Sequence, residues 1–415
     1  MFGALRNRNF VWFWSGAFVS NIGSWIQSIA LSWLVWEITQ SAIALGAVNF
    51  ASTVPILALS LFGGVFVDRI DRRFVLRITQ ALMLVLALAL AVVTWLKVVQ
   101  LAHILIITFL TGVVMALNSP AWQAFIVDLV EPKDLPAAIA LNSTQFNLSR
   151  VVGPSLAGVL LSIIGAAGCF FINSLSFLAV VGALFVIQPR PAARKPDTTS
   201  VWKRLRIGLD YTMSHPVLRP LVYLTSIVTI FGMTYALLMP VMAQDVLGQD
   251  AGGYGAMMSA TGVGAIIGSL ALASWGSMIP RGRLLIVAEF GFSASVIGFS
   301  LSRSFILSLV LLAVLGCTMI GYMTTANTAI QLTTPDDLRG RVMSIWVLVS
   351  FGFSPIGSLI AGAVAQYWGA PLALGLGGAI CAVAGIGAAL TSPALRRLGT
   401  SRSDTVAVGA TATAR

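Results

Sequence analysis

The sequence has little charge, and this shortage excludes ordinary soluble proteins. Charged residues make up 9% of the 415 residues, whereas apolar residues make up 58%, and the mean hydropathy is +0.93. A soluble domain carries about 25% charged residues. No soluble fold of this size could bury so much apolar surface, so the composition predicts an integral membrane protein.

The sequence also has few reactive side chains. Its three cysteines, Cys169, Cys317 and Cys381, lie far apart in apolar runs, and His103 and His215 are isolated. None has the spacing of a metal site, a redox pair or a disulfide framework. The chain lacks a Gly-Lys dipeptide and therefore the phosphate-binding loop Gly-x-x-x-x-Gly-Lys-Ser/Thr. We predict no enzyme activity, no cofactor and no metal site.

Long apolar segments are abundant. A helix needs about 20 apolar residues to cross a bilayer, and the sequence contains twelve such segments. We number these predicted spans 1 to 12 in chain order: 10–36, 42–67, 74–96, 102–122, 137–164, 167–188, 220–243, 254–279, 284–301, 305–330, 341–365 and 371–391. Residues 10–36 are too long for the apolar part of a secretory signal, so we interpret them as a retained first span.

One long loop divides the spans into six and six. The predicted organisation is an N-terminal six-helix bundle, 1–188, a cytoplasmic linker, 189–219, a C-terminal six-helix bundle, 220–391, and a disordered cytoplasmic tail, 392–415. Within the linker, apolar residues at helical spacing predict an amphipathic helix: Trp202, Leu205, Leu209 and Met213. This helix lies either on the inner membrane surface or in water as a linker helix.

Lysine and arginine predict the orientation of the spans. If the N-terminus is cytoplasmic, all 25 lie at the inner face except Lys97, Arg150 and Arg303. We therefore predict a multi-pass membrane protein with both termini in the cytoplasm. The net charge of +11 then faces the inner leaflet, and nucleic acid is not a predicted partner.

The two halves of the chain repeat one another. The segment SRVVGPSLAG from Ser149 aligns with SFGFSPIGSLIAG from Ser350, and PKDL from Pro132 aligns with PDDL from Pro335. Two six-span halves that run in the same direction imply a pseudo-twofold axis along the membrane normal, with a cavity between the halves.

The inner end of span 2 contains the charged segment GGVFVDRIDRR, residues 63–73. Five of its residues match the signature Gly-x-x-x-Asp-Arg-x-Gly-Arg-Arg: Gly64, Asp68, Arg69, Arg72 and Arg73. The chain therefore resembles the major facilitator superfamily, which implies an all-α integral membrane fold of twelve transmembrane helices in two pseudo-twofold-related six-helix bundles. Asp71 stands where the signature has glycine, and aspartate tolerates a left-handed backbone better than most residues.

The resemblance implies a gating role for this segment. Asp68 would sit against the amino end of span 11, where unpaired N–H groups attract an anion, and Gly64 would allow close helix approach. Arg72 would pair with Asp128 at the end of span 4. The alternative is a positive-inside stop signal, which the arginines alone would satisfy.

A segment in span 5 resembles the exporter-associated motif Gly-x-x-x-Gly-Pro-x-x-Gly-Gly. The matching positions are Ser149, Gly153, Pro154, Ala157 and Gly158. All are small except the proline, which predicts a bend, and the alternative role is a plain packing seam. The wider stretches DLVEPKDLPAAIALNSTQFNLSRVVGPSLAG and QLTTPDDLRGRVMS resemble the enterobactin-exporter-like branch, the transmembrane secretion effectors, which includes siderophore and macrolide efflux proteins.

In the superfamily, spans 1, 4, 7 and 10 line the cavity. The resemblance implies substrate contacts at polar or aromatic positions of these spans, each of which is equally suited to hydrogen bonding between helices: Asn21, Trp25, Gln27, Asn118, Tyr235, Tyr322 and Asn327. Arg150 in span 5 either binds an anionic group or is a paired strut. Glu37 and Glu289 are candidates for proton coupling, although the peripheral place of span 9 favours a structural role for Glu289.

These features together predict a secondary transporter. It would export a small siderophore-like or drug-like molecule across the bacterial inner membrane by alternating access, driven by protons. The predicted partners are the small-molecule substrate, the proton and the lipid bilayer, and the predicted state is a monomer. The alternatives are a lipid or lysophospholipid transporter and a non-transporting membrane sensor or scaffold.

Overall fold

A computed structural model describes residues 3–67, 70–187, 201–276 and 278–399, and every regular element in these ranges is a helix. Helices suit apolar spans because they satisfy their backbone hydrogen bonds internally in a bilayer. The fifteen α-helices of the described residues, α1 to α15 in chain order, are Arg8–Thr39, Ala42–Val67, Arg72–Trp95, Leu101–Leu129, Leu135–Val186, Val201–Ser214, Leu218–Ile227, Tyr235–Val241, Ala251–Trp275, Arg281–Leu301, Phe305–Thr333, Asp336–Val347, Ser354–Trp368, Ala370–Thr391 and Pro393–Arg396.

Eleven segments of the described residues are long and apolar enough to cross a membrane, whereas the sequence predicts twelve spans. The difference lies in α5, whose 52 residues would extend about 78 Å as one helix. The hydrocarbon core of a bilayer is only about 30 Å thick. Gly165 has non-helical dihedral angles, φ 67° and ψ −178°, so α5 consists of two helices that meet there. These are predicted spans 5 and 6, and the predicted all-α fold with twelve membrane helices is confirmed.

Two spans contain π-helical segments. Span 7 consists of α7, a π-helix at Val228–Gly232, α8 and a second π-helix at Met242–Val246. Span 11 consists of α12, a π-helix at Leu348–Gly352 and α13. Pro355 has no N–H to donate to the preceding turn, which accounts for the irregular hydrogen bonding in span 11. Because π-helical turns are rare and occur mostly at functional sites, these segments are candidates for movement.

The described residues form two compact units. The first contains those within Met1–Thr198, together with Leu237–Gly262 and Ser358–Tyr367. In this unit α1 and α3 pack along α5, and α2 packs along α4. The core at the start of α1 is aromatic, and Phe13 meets Phe125 edge to face with 5.2 Å between ring centroids. This packing sets the register of α1, α3, α4 and α5, on which the predicted site residues of the N-terminal half lie.

The second unit contains the described residues within Thr199–Ala236, Val263–Gly357 and Trp368–Arg415. Here α10 packs against both α11 and α14, and α6 packs against α12. Leu205 and Met213 of α6 lie against a buried apolar cluster that joins α7 to span 11. These two residues therefore contact protein, whereas Leu209 of the same predicted face is 42% exposed. Whether the exposed part of α6 faces lipid or water stays a prediction.

Parts of the predicted linker and tail lie outside the described residues, namely 189–200 and 400–415. The described part of the tail includes α15, which packs against α10. There the Gly282 amide of α10 donates to the carbonyl of Leu398 at 3.0 Å. The start of the tail is thus attached to the second unit by backbone contact.

Candidate gating and transport site

Arg72 and Asp128 form an ion pair at one end of the first unit. Arg72 begins α3 and Asp128 lies in the last turn of α4, so the two antiparallel helices bring them together. Arg72 Nη1 lies 2.9 and 2.8 Å from the two carboxylate oxygens of Asp128. Each side chain is 11% exposed, so the pair is only weakly screened by salt. The structure thus brings together the two residues that the resemblance pairs.

Arg73 and Arg77 bind the carboxyl end of α5. Arg73 donates from Nε to the Leu184 carbonyl at 2.7 Å and from Nη2 to the Phe185 carbonyl at 2.9 Å. Arg77 Nη2 donates to the Leu184 carbonyl at 2.9 Å, and its guanidinium lies 4.4 Å from the centroid of the Phe185 ring. The last carbonyls of a helix lack intrahelical partners and carry the negative end of its dipole. These arginines therefore cap α5 and attach α3 to it.

The rest of the charged segment is described only in part. Asp71 has φ −59° and ψ 116°, and its carboxylate accepts from the Arg73 amide at 3.0 Å. It is the N-cap of α3 and does not use the left-handed backbone that the sequence allows for. Gly64 lies in α2, whereas Asp68 and Arg69 lie outside the described residues. The contact of Asp68 with span 11 therefore stays a prediction.

The exporter-like motif lies in α5, and its five residues are buried: Ser149, Gly153, Pro154, Ala157 and Gly158. Gly153 lies so close to α1 that a methyl group there would overlap the Trp25 side chain. α5 continues as a helix through Pro154, and its non-helical residue is Gly165. These contacts agree with the packing role of the motif, and its role in export stays a prediction.

Four glycines bring spans of the two repeated halves into backbone contact within the first unit; we call them the glycine contacts, and they are Gly46, Gly158, Gly255 and Gly362. A methyl group on Gly158 or Gly255 would overlap the other glycine, so α5 and α9 touch without side chains between them. The same holds for Gly46 of α2 against the Ser358 backbone of α13. All four lie toward the ends of their spans that are remote from Arg72.

Polar groups strengthen these contacts. The Ala42 amide at the start of α2 donates to Gln366 Oε1 of α13 at 2.8 Å, and Ser358 Oγ donates to Asn49 Oδ1 at 3.3 Å. The rings of Trp33 and Tyr254 stack with 5.6 Å between centroids. Ser358 lies in the repeated segment SFGFSPIGSLIAG that begins at Ser350, and the sequence predicts no function for it. The signal that identifies it is the small residue at each four-residue step from Ser350.

The predicted cavity residues of the N-terminal half differ in their surroundings. Asn118 is 6% exposed, and its Oδ1 accepts from Thr79 Oγ1 at 2.9 Å and from Gln80 Nε2 at 3.1 Å. Gln27 Oε1 accepts from Asn173 Nδ2 at 2.7 Å. The predicted roles of these residues are substrate contact and hydrogen bonding between helices. Both side chains form hydrogen bonds between helices. Three further candidates are partly buried: Asn21, Trp25 and Arg150.

The predicted cavity residues of the C-terminal half are also mostly internal. Tyr322 is 1% exposed, and its hydroxyl lies 2.8 Å from Thr225 Oγ1 of α7. Tyr235 is 5% exposed, and its hydroxyl lies 3.5 Å from Met319 Sδ. Asn327 is partly buried and accepts from Gln331 Nε2 at 2.5 Å. The two tyrosines therefore pack within the second unit.

The two predicted proton carriers have opposite surroundings. Glu37 is exposed in the last turn of α1, whereas Glu289 is 1% exposed in α10. Ser293 Oγ donates to Glu289 Oε1 at 2.8 Å. Among the residues that the structure describes, no group of three or more His, Cys, Asp or Glu could hold a metal ion.

Comparison with known sequences identifies relatives that transport small molecules. The chain is 27% identical to the staphyloferrin A transporter of Staphylococcus aureus, over 86% of this chain and 90% of the relative. It is 25% identical to the multidrug efflux pump Tap of Mycolicibacterium fortuitum, over 84% and 87%. It is 22% identical to the enterobactin exporter EntS of Escherichia coli, over 81% and 79%.

Comparison with solved structures identifies transporters that share the fold of this chain. A D-xylose–proton symporter superposes with a TM-score of 0.72 at 14% identity, covering 95% of this chain and 99% of its own. A bacterial homologue of the human lysosomal transporter Spinster superposes with a TM-score of 0.70 at 11% identity, covering 94% and 96%. Residues 1–406 match the family described as transmembrane secretion effector. The chain, a multi-pass membrane transporter and not an enzyme, belongs to the transmembrane secretion effector family of major facilitator transporters.

Proposed function

We propose that the protein exports a small siderophore-like or drug-like molecule across the bacterial inner membrane by alternating access, as a proton-driven monomer with both termini in the cytoplasm. The glycine contacts carry this proposal. They join spans of both repeated halves at the ends that the lysine and arginine pattern assigns to the outside. The relatives that transport staphyloferrin A, export enterobactin and pump out multiple drugs support the substrate class and the direction.

Alternating access requires a seal that forms and separates reversibly. Glycines that meet backbone to backbone provide close packing without side chains that interlock. For the outer ends to open, α5 must leave α9, and α2 must leave α13. A lock across either pair would therefore stop the cycle in one state.

A disulfide across α5 and α9 tests this directly. A Cβ atom at Gly252 would lie 3.8 Å from the Ser162 Cβ, which is about the Cβ separation of native disulfides, ~3.8 Å. We would introduce S162C and G252C into a variant with its three native cysteines replaced. Oxidation should stop transport and a reducing agent should restore it, while the S162C single variant should be insensitive to both. Unchanged transport in the cross-linked protein would refute alternating access at these helices.

The substrate and the energy source need a second assay. We would express the protein in cells that lack their own exporters and measure accumulation of ethidium, iron-free enterobactin and a fluorescent lysophospholipid. We expect cells with the protein to accumulate less ethidium or less enterobactin than cells without it. A protonophore should abolish this difference. Export that persists without any proton gradient would remove proton coupling, and movement of only the lysophospholipid would make the protein a lipid transporter.

A further inference from the structure

The second unit buries the carboxyl group of Glu289. Glu289 is 1% exposed, and its Oε2 has no hydrogen-bond partner among the described residues. Ser293 Oγ donates to Oε1, and no lysine, arginine or histidine of the described residues forms an ion pair with Glu289. A buried charge is costly unless it is paired. These surroundings therefore favour a carboxyl group that carries a proton.

The helices around Glu289 contribute small and neutral groups. From α14, Gly385 approaches so closely that a side-chain carbon would overlap Glu289 Oε2. The Cys381 thiol of α14 and the Tyr322 hydroxyl of α11 lie within electrostatic range of Glu289. α15 packs near Gly282, about two turns of α10 away. No fixed positive charge from α11, α14 or α15 therefore compensates Glu289.

A hydrogen bond joins Tyr322, which lies within electrostatic range of Glu289, to span 7. Thr225 Oγ1 donates to the Leu221 carbonyl at 2.8 Å and lies 2.8 Å from the Tyr322 hydroxyl. Threonine has one hydroxyl proton, so Tyr322 is the donor to Thr225, and its own oxygen can accept another proton donor. Two more hydroxyls, those of Thr229 and Thr325, are buried and have no hydrogen-bond partner among the described residues.

Two of these hydroxyl groups lie in or next to the π-helix at Val228–Gly232. Thr225 lies one turn before Thr229, which is part of the π-helix itself. The Cys381 thiol contacts the Ile227 carbonyl at 3.9 Å, directly before the π-helix. π-helical turns allow local rearrangement and occur mostly at functional sites. A shift of this segment would change the polarity around Glu289.

We propose that Glu289 is the residue through which the proton gradient drives transport, an inference that rests on the proposed function. In the buried state Oε2 carries a proton taken from water on the outside. When substrate binds from the inside, movement at the π-helix of span 7 exposes the hydroxyl groups, and Glu289 releases the proton to inner water. One O–H bond breaks and one water is protonated, and no other bond changes.

Infrared difference spectroscopy of the purified protein tests the protonation state without any substrate. The wild type should show the C=O stretching band of a protonated carboxylic acid, and the band should be lost in Glu289→Gln. Glu37→Gln is the matched control and should keep the band, because Glu37 is exposed. Ser293→Ala should move the band, since it removes the hydrogen bond to Oε1. A band that is unaffected by both Glu289→Gln and Ser293→Ala would overturn the proposal.

Transport in proteoliposomes tests the coupling, with ethidium as the probe. Glu289→Gln should lose ethidium transport driven by a pH gradient, yet keep exchange of ethidium down its own gradient. Equal loss of both activities would show that Glu289 is only structural and would overturn the inference. If the wild type responds to the pH gradient and Glu289→Gln responds equally, only this inference fails. If the wild type does not respond, the proton coupling in the proposed function fails as well.

Discussion

At the scale of single residues, shielded polar groups are the sensitive points of this molecule. Arg72 and Asp128 compensate each other at 2.8 Å with little access to water. The side-chain oxygen of Asn118 accepts hydrogen bonds from two residues of α3. In apolar surroundings such groups are costly to leave unpaired, so their removal affects the unit that contains them.

Asp128→Asn should destabilise the protein, because it removes the negative charge from a shielded ion pair with Arg72. We expect a loss of about 3 kcal/mol in the free energy of unfolding, measured by denaturation in detergent micelles. Adding Arg72→Gln should recover most of the loss.

The matched control is the pair of Lys133 and Glu131, at 2.9 Å but with side chains 76% and 43% exposed. Glu131→Gln should cost less than about 1 kcal/mol, because exposed ion pairs contribute little. Equal losses at the two sites would show that shielding does not matter here.

The sequence does not reveal which way the predicted cavity residues face. Tyr322 and Asn118 lie on spans that the resemblance assigns to the cavity, yet both bond within their own units. A span that is apolar on all sides gives no periodicity from which its rotation can be predicted. The pair of Arg72 and Asp128 was predictable because the resemblance places both at known helix ends.

At the scale of elements, α5 and α9 depend on having no side chains where they meet. Gly255→Ala would put a methyl group against the Gly158 backbone, so we expect the two helices to separate at that end. The yield of the S162C–G252C disulfide should fall in this variant.

Gly182→Ala is the control within α5, because nothing lies within 4 Å of an added methyl group there. Alanine is favoured over glycine in a helix by about 1 kcal/mol, so this variant should keep the disulfide yield and gain stability. A similar loss of yield in both variants would contradict a specific contact at Gly158.

The junction of α6 and α7 contains a pH-sensitive cap. His215 Nδ1 accepts from the amides of Val217 and Leu218 at 3.2 and 3.4 Å, and burial lowers the pKa of His215 from its ordinary value of 6.5. Protonation would occupy Nδ1 and remove the cap. The stabilisation is therefore present above pH 6.5 and lost as the pH falls through the lowered pKa of the folded state.

We expect the thermal stability of the wild type to fall between pH 8 and pH 5 by more than that of His215→Ala. At pH 8, His215→Ala should lose about 1 kcal/mol, a typical value for a helix cap. His215→Asn keeps an acceptor that does not titrate, so it should retain the stability at both pH values. Identical pH profiles for all three proteins would exclude the cap.

The elements themselves were largely predictable. Span 2 was predicted at 42–67 and is Ala42–Val67, and span 12 was predicted at 371–391 and is Ala370–Thr391. Hydropathy and length suffice for such boundaries, because the bilayer imposes both. The break at Gly165 falls between the predicted spans 5 and 6, 137–164 and 167–188. The π-helices were not predicted, since the same apolar composition suits α-helix and π-helix alike.

At the scale of the whole molecule, duplication of a six-span half accounts for the main features. The repeated small residues at Ser149 and Ser350 begin corresponding segments of spans 5 and 11. Both segments contribute small residues to the glycine contacts, through Gly158 in one half and Ser358 and Gly362 in the other. Repetition of one segment therefore supplies a pair of matching surfaces, as symmetric assemblies require.

The arginines that cap α5 also affect how the molecule senses its lipids. Arg73 directs Nε and Nη2, and Arg77 directs Nη2, to the carbonyls of Leu184 and Phe185. Donors engaged in this way are less available to the phosphates of anionic headgroups, even though the positive-inside pattern places them at that leaflet. These arginines hold α3 to α5, and we expect this end of the first unit to stay folded whether the surrounding leaflet is anionic or zwitterionic.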